Sequence, residues 1–218
     1  MGKDKLRKFD EIGTFANVYQ LEEGIINKGN WSKKHFGNEN PIVLELACGK
    51  GEYSVNMART FPDINFIGID YKGNRIWRGA KTALEYEVKN VAFLRIQIED
   101  ILSYFNNEEI SEIWITFPDP QPQIGREKKR LTSDRFLEIY HALLKEDGVM
   151  HLKTDNDGLY KYTLDKLAER QEIVVSQTSD LYHSAILNEV LSIKTYYEKK
   201  YLLVGKNINY VKWKFNKV

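Results

Sequence analysis

The chain has 218 residues, 42% of them apolar and 12% aromatic, a composition that supports one globular domain with a single core. Lys and Arg number 32 against 31 Asp and Glu, so a formal net charge of +1 gives no general attraction to a polyanion. The single cysteine, Cys48, excludes an internal disulfide, and four scattered histidines lack a metal-ligand spacing, so no metal is expected.

The opening MGKDKLRKFDEIG has charge but no apolar signal core, Leu6 breaks the myristoylation pattern, and no stretch approaches a membrane span. A soluble, cytoplasmic protein without membrane contact is expected. Residues 1–40 mix charge, aromatics, Gly and Asn without periodicity and read as an irregular N-terminal arm with one short helix at most. The regular domain, 41–218, begins at Pro41. IVLEL is a short buried strand, ACGKGEY turns into a helix over 52–60, and INFIGID is a second strand. Ile76, Ala80, Ala83, Leu84 and Val88 recur at helical spacing, and VAFLRIQI and EIWITF are strand-like. Thr132 is placed to cap a helix with Phe136, Leu137, Tyr140, Leu143 and Leu144 on one face and Gly148 closing it. VMHLKTD is again a strand, EIVVSQTSDL and the aromatic-rich 195–215 read as strands, and the last two form an antiparallel pair at one edge. The alternation predicts an α/β fold, Rossmann-like, with a mostly parallel sheet and helices on both faces.

Ligands of such sheets lie at the carboxyl ends of the strands, and acids recur there. Glu45 precedes the glycine turn, Asp70 ends the second strand, Asp119 follows the fourth, and the third runs into Gln97 and Glu99. Gly49 and Gly51 begin a dinucleotide fingerprint, but Ser54 stands where its third glycine belongs. A ligand without phosphate but with a ribose, an ammonium and a sulfonium suits this acidic edge, and that ligand is S-adenosylmethionine. Asp70, about 20 residues past the turn, is placed to take two ribose hydroxyls, with Glu45 adding negative charge. In IWITFPDPQPQIGREKKRLT, Pro118, Pro120 and Pro122 make stiff, extended chain that fixes Asp119. The loop from Pro118 to Leu131 is long, and its Arg126, Lys128, Lys129 and Arg130, with Arg135 beyond, suit phosphate contacts.

ELACGKGEY, FIGIDYKGNRI, FPDP followed by KKRLT and RFL, HLKTDN and TYYE stand in an order that resembles the bacterial tRNA (guanine-N7-)-methyltransferases, over about residues 35–200. The resemblance implies a class I methyltransferase fold that uses S-adenosylmethionine to methylate N7 of a guanine in the tRNA variable loop, position 46. By the family's motifs, Glu45, Asp70, Gln97 and Asp119 match cofactor-contacting positions, and Asp155 and Thr195, Tyr196, Tyr197 and Glu198 match substrate-binding ones. The family's usual F-P-D-P-W-P-K-K-R-H is altered, with Gln121 for the tryptophan and Gln123, Ile124 and Gly125 for the basic run. Its substrate-contacting lysine is thus Gln123, and its acid at the third strand end is Gln97.

Guanine N7 carries a lone pair and no proton, so methylation there needs no general base, which fits a site without a placed His or Cys. Asp119 is expected to face the purine as positive charge develops on it and to accept from guanine N1 and N2. N7 of a paired base faces the deep A-form groove, so the target lies in a loop or is swung out. Trp77, Trp114 and Trp213 are read chiefly as core. Methyltransferases acting on exocyclic amines carry [D/N]-P-P-[FY] at the fourth strand end, whereas Gln121 separates Pro120 from Pro122 here. A methyltransferase for another RNA base position and a non-catalytic RNA-binding subunit on the same fold are the rival readings. Monomer and homodimer are both open. The lysine-rich end from Lys199 onward carries no acid, and Lys212 and Lys214 are expected to replace the charge lost from the loop.

Overall fold

A computed structural model describes residues 2–217 of the chain, with side-chain surroundings from Asp4 onward. The elements in order are α1 (Gly2–Ile12), β1 (Val18–Gln20), α2 (Glu22–Ile25), β2 (Ile42–Leu46), α3 (Glu52–Thr60), β3 (Asn65–Ile69), α4 (Gly73–Glu85), β4 (Val91–Arg95), β5 (Ile110–Thr116), α5 (Asp134–Leu143), β6 (Leu144–Thr154), α6 (Asp157–Glu169), β7 (Ile173–Thr178), α7 (Glu189–Ser192), α8 (Tyr196–Leu203) and β8 (Asn209–Lys214). They form one eight-stranded sheet in the order β1-β4-β3-β2-β5-β6-β8-β7. The ladders from β1 to β6 are parallel, and β8 runs antiparallel to both β6 and β7. The predicted antiparallel pair is therefore β7 with β8, which closes that side of the sheet.

Every residue of β2 and β3 is buried, as expected of parallel strands covered on both faces. The period of two sorts them. Ile42, Leu44 and Leu46 join Ile67, Ile69, Leu94, Ile113 and Ile115 in one core, under α5 and α6. Val43, Phe66, Phe93 and Trp114 join Tyr53, Met57, Ile76 and Trp77 in the other, under α3 and α4. Trp31, Trp77, Trp114 and Trp213 are all buried, so none presents a face to a base.

Several sequence expectations are corrected here. The first 40 residues are not irregular: α1 packs on α4, β1 extends the sheet beside β4 with Val18 opposite Phe93, and Trp31 fills the core while its Nε1 donates to the Tyr104 carbonyl at 2.9 Å. Residue 1 lies outside the described residues. Thr132 does not cap α5. It is buried and shares a 2.8 Å hydroxyl bond with Thr163, and Ser133 holds the cap position. Gly148 does not close α5, which ends at Leu143 and passes straight into β6. A Cβ at Gly148 would meet Leu144 at 2.8–2.9 Å, so glycine is there for close approach. The helical spacing that reaches Val88 in the sequence stops earlier in the fold, because α4 ends at Glu85 and Glu87 turns left-handed (φ 53°). The stretch 195–215 is not all strand, since α8 occupies its first half.

Candidate functional site

From β2 the sheet extends on one side through β3, β4 and β1 and on the other through β5, β6, β8 and β7, so the strand order reverses beside β2. Crevices at such points hold ligands, and the acids gather there. After β2 the chain bends through Ala47 (φ 55°), Gly49 (φ 57°) and Gly51 (φ 65°) into α3. The two glycines differ in role. A Cβ at Gly51 would strike the Phe93 ring at 2.4 Å, so that glycine serves packing. At Gly49 an added Cβ would meet only the Ala47 carbonyl oxygen at 3.9 Å, so that side of the turn is open to a ligand.

Asp70 follows β3, and its carboxylate is fixed by two backbone amides: Gly49 N–H donates to Oδ2 at 3.0 Å and Lys72 N–H to Oδ1 at 2.8 Å. The spacing of about 20 residues thus brings the acid onto the glycine turn itself. Each oxygen keeps a lone pair for a hydroxyl donor. Gln97, expected to take the third strand end, is exposed two residues beyond β4.

Glu45 is not a free charge beside the glycines. It is buried on the α3 face of β2, where Ser54 N–H donates to Oε2 at 2.9 Å and the Ser54 and Thr116 hydroxyls donate to the two oxygens. Ser54, in the place of a third glycine, is what holds it. Burial pushes the carboxyl up to about 7, against three hydrogen bonds that pull it down. A carboxyl raised in the folded state loses stability for the fold as pH rises, because the unfolded chain gives up the proton first. The ligand-free protein is therefore expected to lose stability between about pH 4.5 and about pH 7. Glu45→Gln is expected to flatten that slope in a series of melting curves, and an unchanged slope would rule Glu45 out as its source.

The proline loop leaves β5 beside the turn. Phe117 (φ 49°) and Gln121 (φ 43°) are both left-handed, and between them Pro118 is buried while Asp119 is exposed. Asp119 Oδ1 accepts from Gln121 N–H at 3.1 Å, which leaves its other oxygen facing outward. Gln123 and Ile124 lie at the exposed tip, and Ile124 is 90% exposed. Arg126, Lys128 and Lys129 are exposed, but Arg130 turns inward to donate to the Gln121 carbonyl at 3.2 Å and lies 4.3 Å over the Tyr162 ring.

The TYYE segment is divided between structure and surface. Thr195 caps α8 and Glu198 completes the capping box, and both are buried. Glu198 pairs at 2.9 Å with Lys153 of β6, both of them fully buried, and accepts from the Tyr182 hydroxyl at 2.6 Å. Lys153 also donates to the Leu191 and Ile193 carbonyls at 3.0 and 3.2 Å, so one buried ammonium fixes the whole approach to α8. Tyr196 and Tyr197 are half exposed. Tyr196 N–H donates to Glu52 at 2.8 Å, and Lys50 Nζ stands 4.4 Å over its ring, which ties α8 to the glycine turn. One turn on, Tyr201 meets Phe117 with ring centroids 6.0 Å apart, which ties it to the proline loop. Asp155 is not free either, being paired with Lys206 at 2.9 Å.

Lys50, Glu52 and Lys153 lie inside the motifs ELACGKGEY and HLKTDN and Ser54 at the third-glycine position, but no sequence signal assigns them a part in the site, and Thr116 and Tyr201 carry no motif signal at all. The T-x-x-E capping signature is the one local signal that places α8. Lys214 reaches toward Asp147 at the start of β6, away from the carboxyl ends, and Lys212 stands opposite His151 in the sheet. The expected replacement of loop charge by these two lysines is therefore not met.

A family model described as a putative methyltransferase matches residues 39–211. The tRNA (guanine-N(7)-)-methyltransferase of Christiangramia forsetii is 51% identical over 97% of this chain and 98% of its own. That of Bacteroides thetaiotaomicron is 47% identical over 98% of this chain and 86% of its own. The chain belongs to the tRNA (guanine-N(7)-)-methyltransferase family. Solved structures add the fold. The 16S rRNA methyltransferase KamB superposes with a TM-score of 0.64 at 13% identity, over 86% of this chain and 93% of that one. A 30S ribosomal A1408 methyltransferase from an uncultured bacterium gives 0.58 at 15% identity, over 83% and 90%. Among the described residues no group of His, Cys, Asp and Glu could hold a metal, and no helix is long and apolar enough to cross a membrane.

Proposed function

We propose that this chain transfers a methyl group from S-adenosylmethionine to N7 of a guanine in tRNA, at position 46 of the variable loop. One observation carries the reading: an open glycine turn with Asp70 fixed against it stands next to the Asp119 loop, and α8 touches both. Asp70 would hold the ribose hydroxyls, and the open flank of Gly49 leaves room for the cofactor's chain beside the turn. Gln97, exposed past the third strand, has an amide able to pair with an adenine edge. When bound, S-adenosylmethionine supplies an electrophilic methyl carbon on a cationic sulfur.

The protein's own part is to orient and to stabilise charge. N7 needs no proton removed, so no base is required. Asp119, on a loop stiffened by Pro118 and Pro120, presents its free oxygen to the purine, where it accepts from N1 and N2 and offsets the positive charge that grows on the ring. Adenine lacks that donor pair. Tyr197 offers an exposed ring beside the turn for a base swung out of its stack, while Tyr196, with Lys50 and Lys200 over its ring, would meet the substrate through its edge and those two cations. Gln123 and Asp155, with the loop's Arg126, Lys128 and Lys129, would meet the surrounding RNA. Arg130 would hold the loop's shape in place of a phosphate. A tRNA substrate goes with a cytoplasmic location.

The test is a transcript in which the variable-loop guanine is replaced by adenine. It is expected to accept no methyl while the unaltered transcript does, and equal labelling of both would sink the assignment.

A further inference from the structure

Between the outer face of α3 and the segment entering α8 lies an open groove of about 610 Å³. Asn56, Arg59 and Thr60 form one wall and Ser192, Lys194 and Lys199 the other, and no acid lines it. Arg59, Lys194 and Lys199 are exposed, and among the described residues none of them makes an ion pair. Arg59 and Lys194 rest on ring faces instead, Arg59 at 5.3 Å over Tyr86 and Lys194 at 4.6 Å over Tyr182. Other cations of the molecule are paired, among them Lys81, Lys166, Arg170 and Lys206, whereas the groove brings unpaired ones together on two facing walls.

The groove runs along α3, whose first turn adjoins the glycine turn. Next in sequence to the lining residue Lys199, Lys200 lies 4.6 Å over the Tyr196 ring, with Lys50 of the glycine turn 4.4 Å over the same ring, and neither makes an ion pair among the described residues. Glu52, the acid nearest in sequence to Lys50, is already engaged by the Tyr196 amide. Five cations without an ion pair among the described residues, set against the single acid Glu52, thus follow α3 from the glycine turn to its far end, about 13 Å along a helix of this length. In a chain whose net charge is only +1, that is a local concentration of positive potential. Cations spread over two walls of an open channel match a chain of phosphates better than a single small anion, which needs converging donors.

We propose that this groove carries the phosphodiester backbone of the tRNA next to the target base, supplying the charge that the 121–125 loop lacks. The proposal rests on the tRNA reading above. These contacts fix register and affinity and read no sequence. The test is the triple variant Arg59→Gln, Lys194→Gln, Lys199→Gln in the full chain, assayed for methyl transfer and tRNA binding across a salt series. The KM for tRNA is expected to rise by roughly tenfold or more, and the slope of log affinity against log salt to fall by about 2. Turnover at saturating tRNA and affinity for S-adenosylmethionine are expected to stay near wild type. Because Lys194 packs on Tyr182, Lys199→Glu alone serves as a second variant, on an exposed position, expected to raise the KM in the same direction. An unchanged KM and slope in both variants, with a wild type that methylates tRNA, would overturn the groove. A wild type that binds S-adenosylmethionine yet takes no tRNA would overturn the substrate reading on which the groove depends.

Discussion

Asp119→Ala is expected to lower kcat by about 10²- to 10³-fold, the usual cost of removing one preorganised group that faces developing charge. Asp119 is exposed, and its one bond within the protein is the 3.1 Å contact with Gln121 N–H. Its removal should therefore cost the fold no more than about 1 kcal/mol. The loop keeps its shape through buried Pro118, the Phe117–Tyr201 contact and the bond from Arg130 to the Gln121 carbonyl. Asp119→Asn separates two parts of the role. Asparagine can still accept from Gln121 N–H but brings no charge to the purine, so a loss close to that of alanine assigns the effect to the charge. Single-turnover rates measured beside melting temperatures check this. Near-normal rates in Asp119→Ala with an intact fold would remove Asp119 from the reaction.

Lys153→Met is expected to destabilise the protein by about 3–5 kcal/mol, because it leaves Glu198 buried without its counter-charge. Burial pulls the Lys153 ammonium down in pKa, and Glu198 holds it up. The same substitution frees the Leu191 and Ile193 carbonyls and so loosens the path into α8. α8 carries Tyr196 against the glycine turn and Tyr201 against the proline loop, so the damage should reach both sides of the site. The double variant Lys153→Met, Glu198→Gln should recover part of the loss, since no unpaired charge remains buried. Urea unfolding of the three proteins measures it, the midpoint shift being read at constant m. A single variant as stable as the parent would show that the ion pair is not what fixes α8.

The sheet from β2 to β6 is legible in the sequence because β2 to β5 and the second half of β6 are short and largely apolar, and most of them are separated by helices with a clear buried face. Asp70 is legible for the same reason, since a strand end followed by an acid in a parallel sheet has one place to go. The first 40 residues are not. β1 has only three residues, and of the described residues of α1 only Ile12 is buried, so little apolar pattern marks either element. α8 reads as strand because YYEKKYLLV is rich in aromatic and branched residues, although Thr195 and Glu198 carry a capping box. The places of Thr195 and Glu198 in the family motif are visible, but their structural part is not, because the Lys153 that meets Glu198 comes from a distant strand. Glu45 reads as a negative charge. Its hydroxyl partners come from α3 and β5, and its raised pKa follows from burial that no local pattern records. The basic groove is hidden likewise, since Arg59 and Lys199 are neighbours only after folding.

Incubation of the protein with an unmodified tRNA transcript and S-adenosylmethionine, followed by nuclease digestion and mass spectrometry, reads the reaction and the methylated atom together. N7-methylguanosine is expected in the fragment that contains the variable loop. A methyl group on an exocyclic amine or on another base, or no product from a protein that binds both partners, would contradict the proposed reaction.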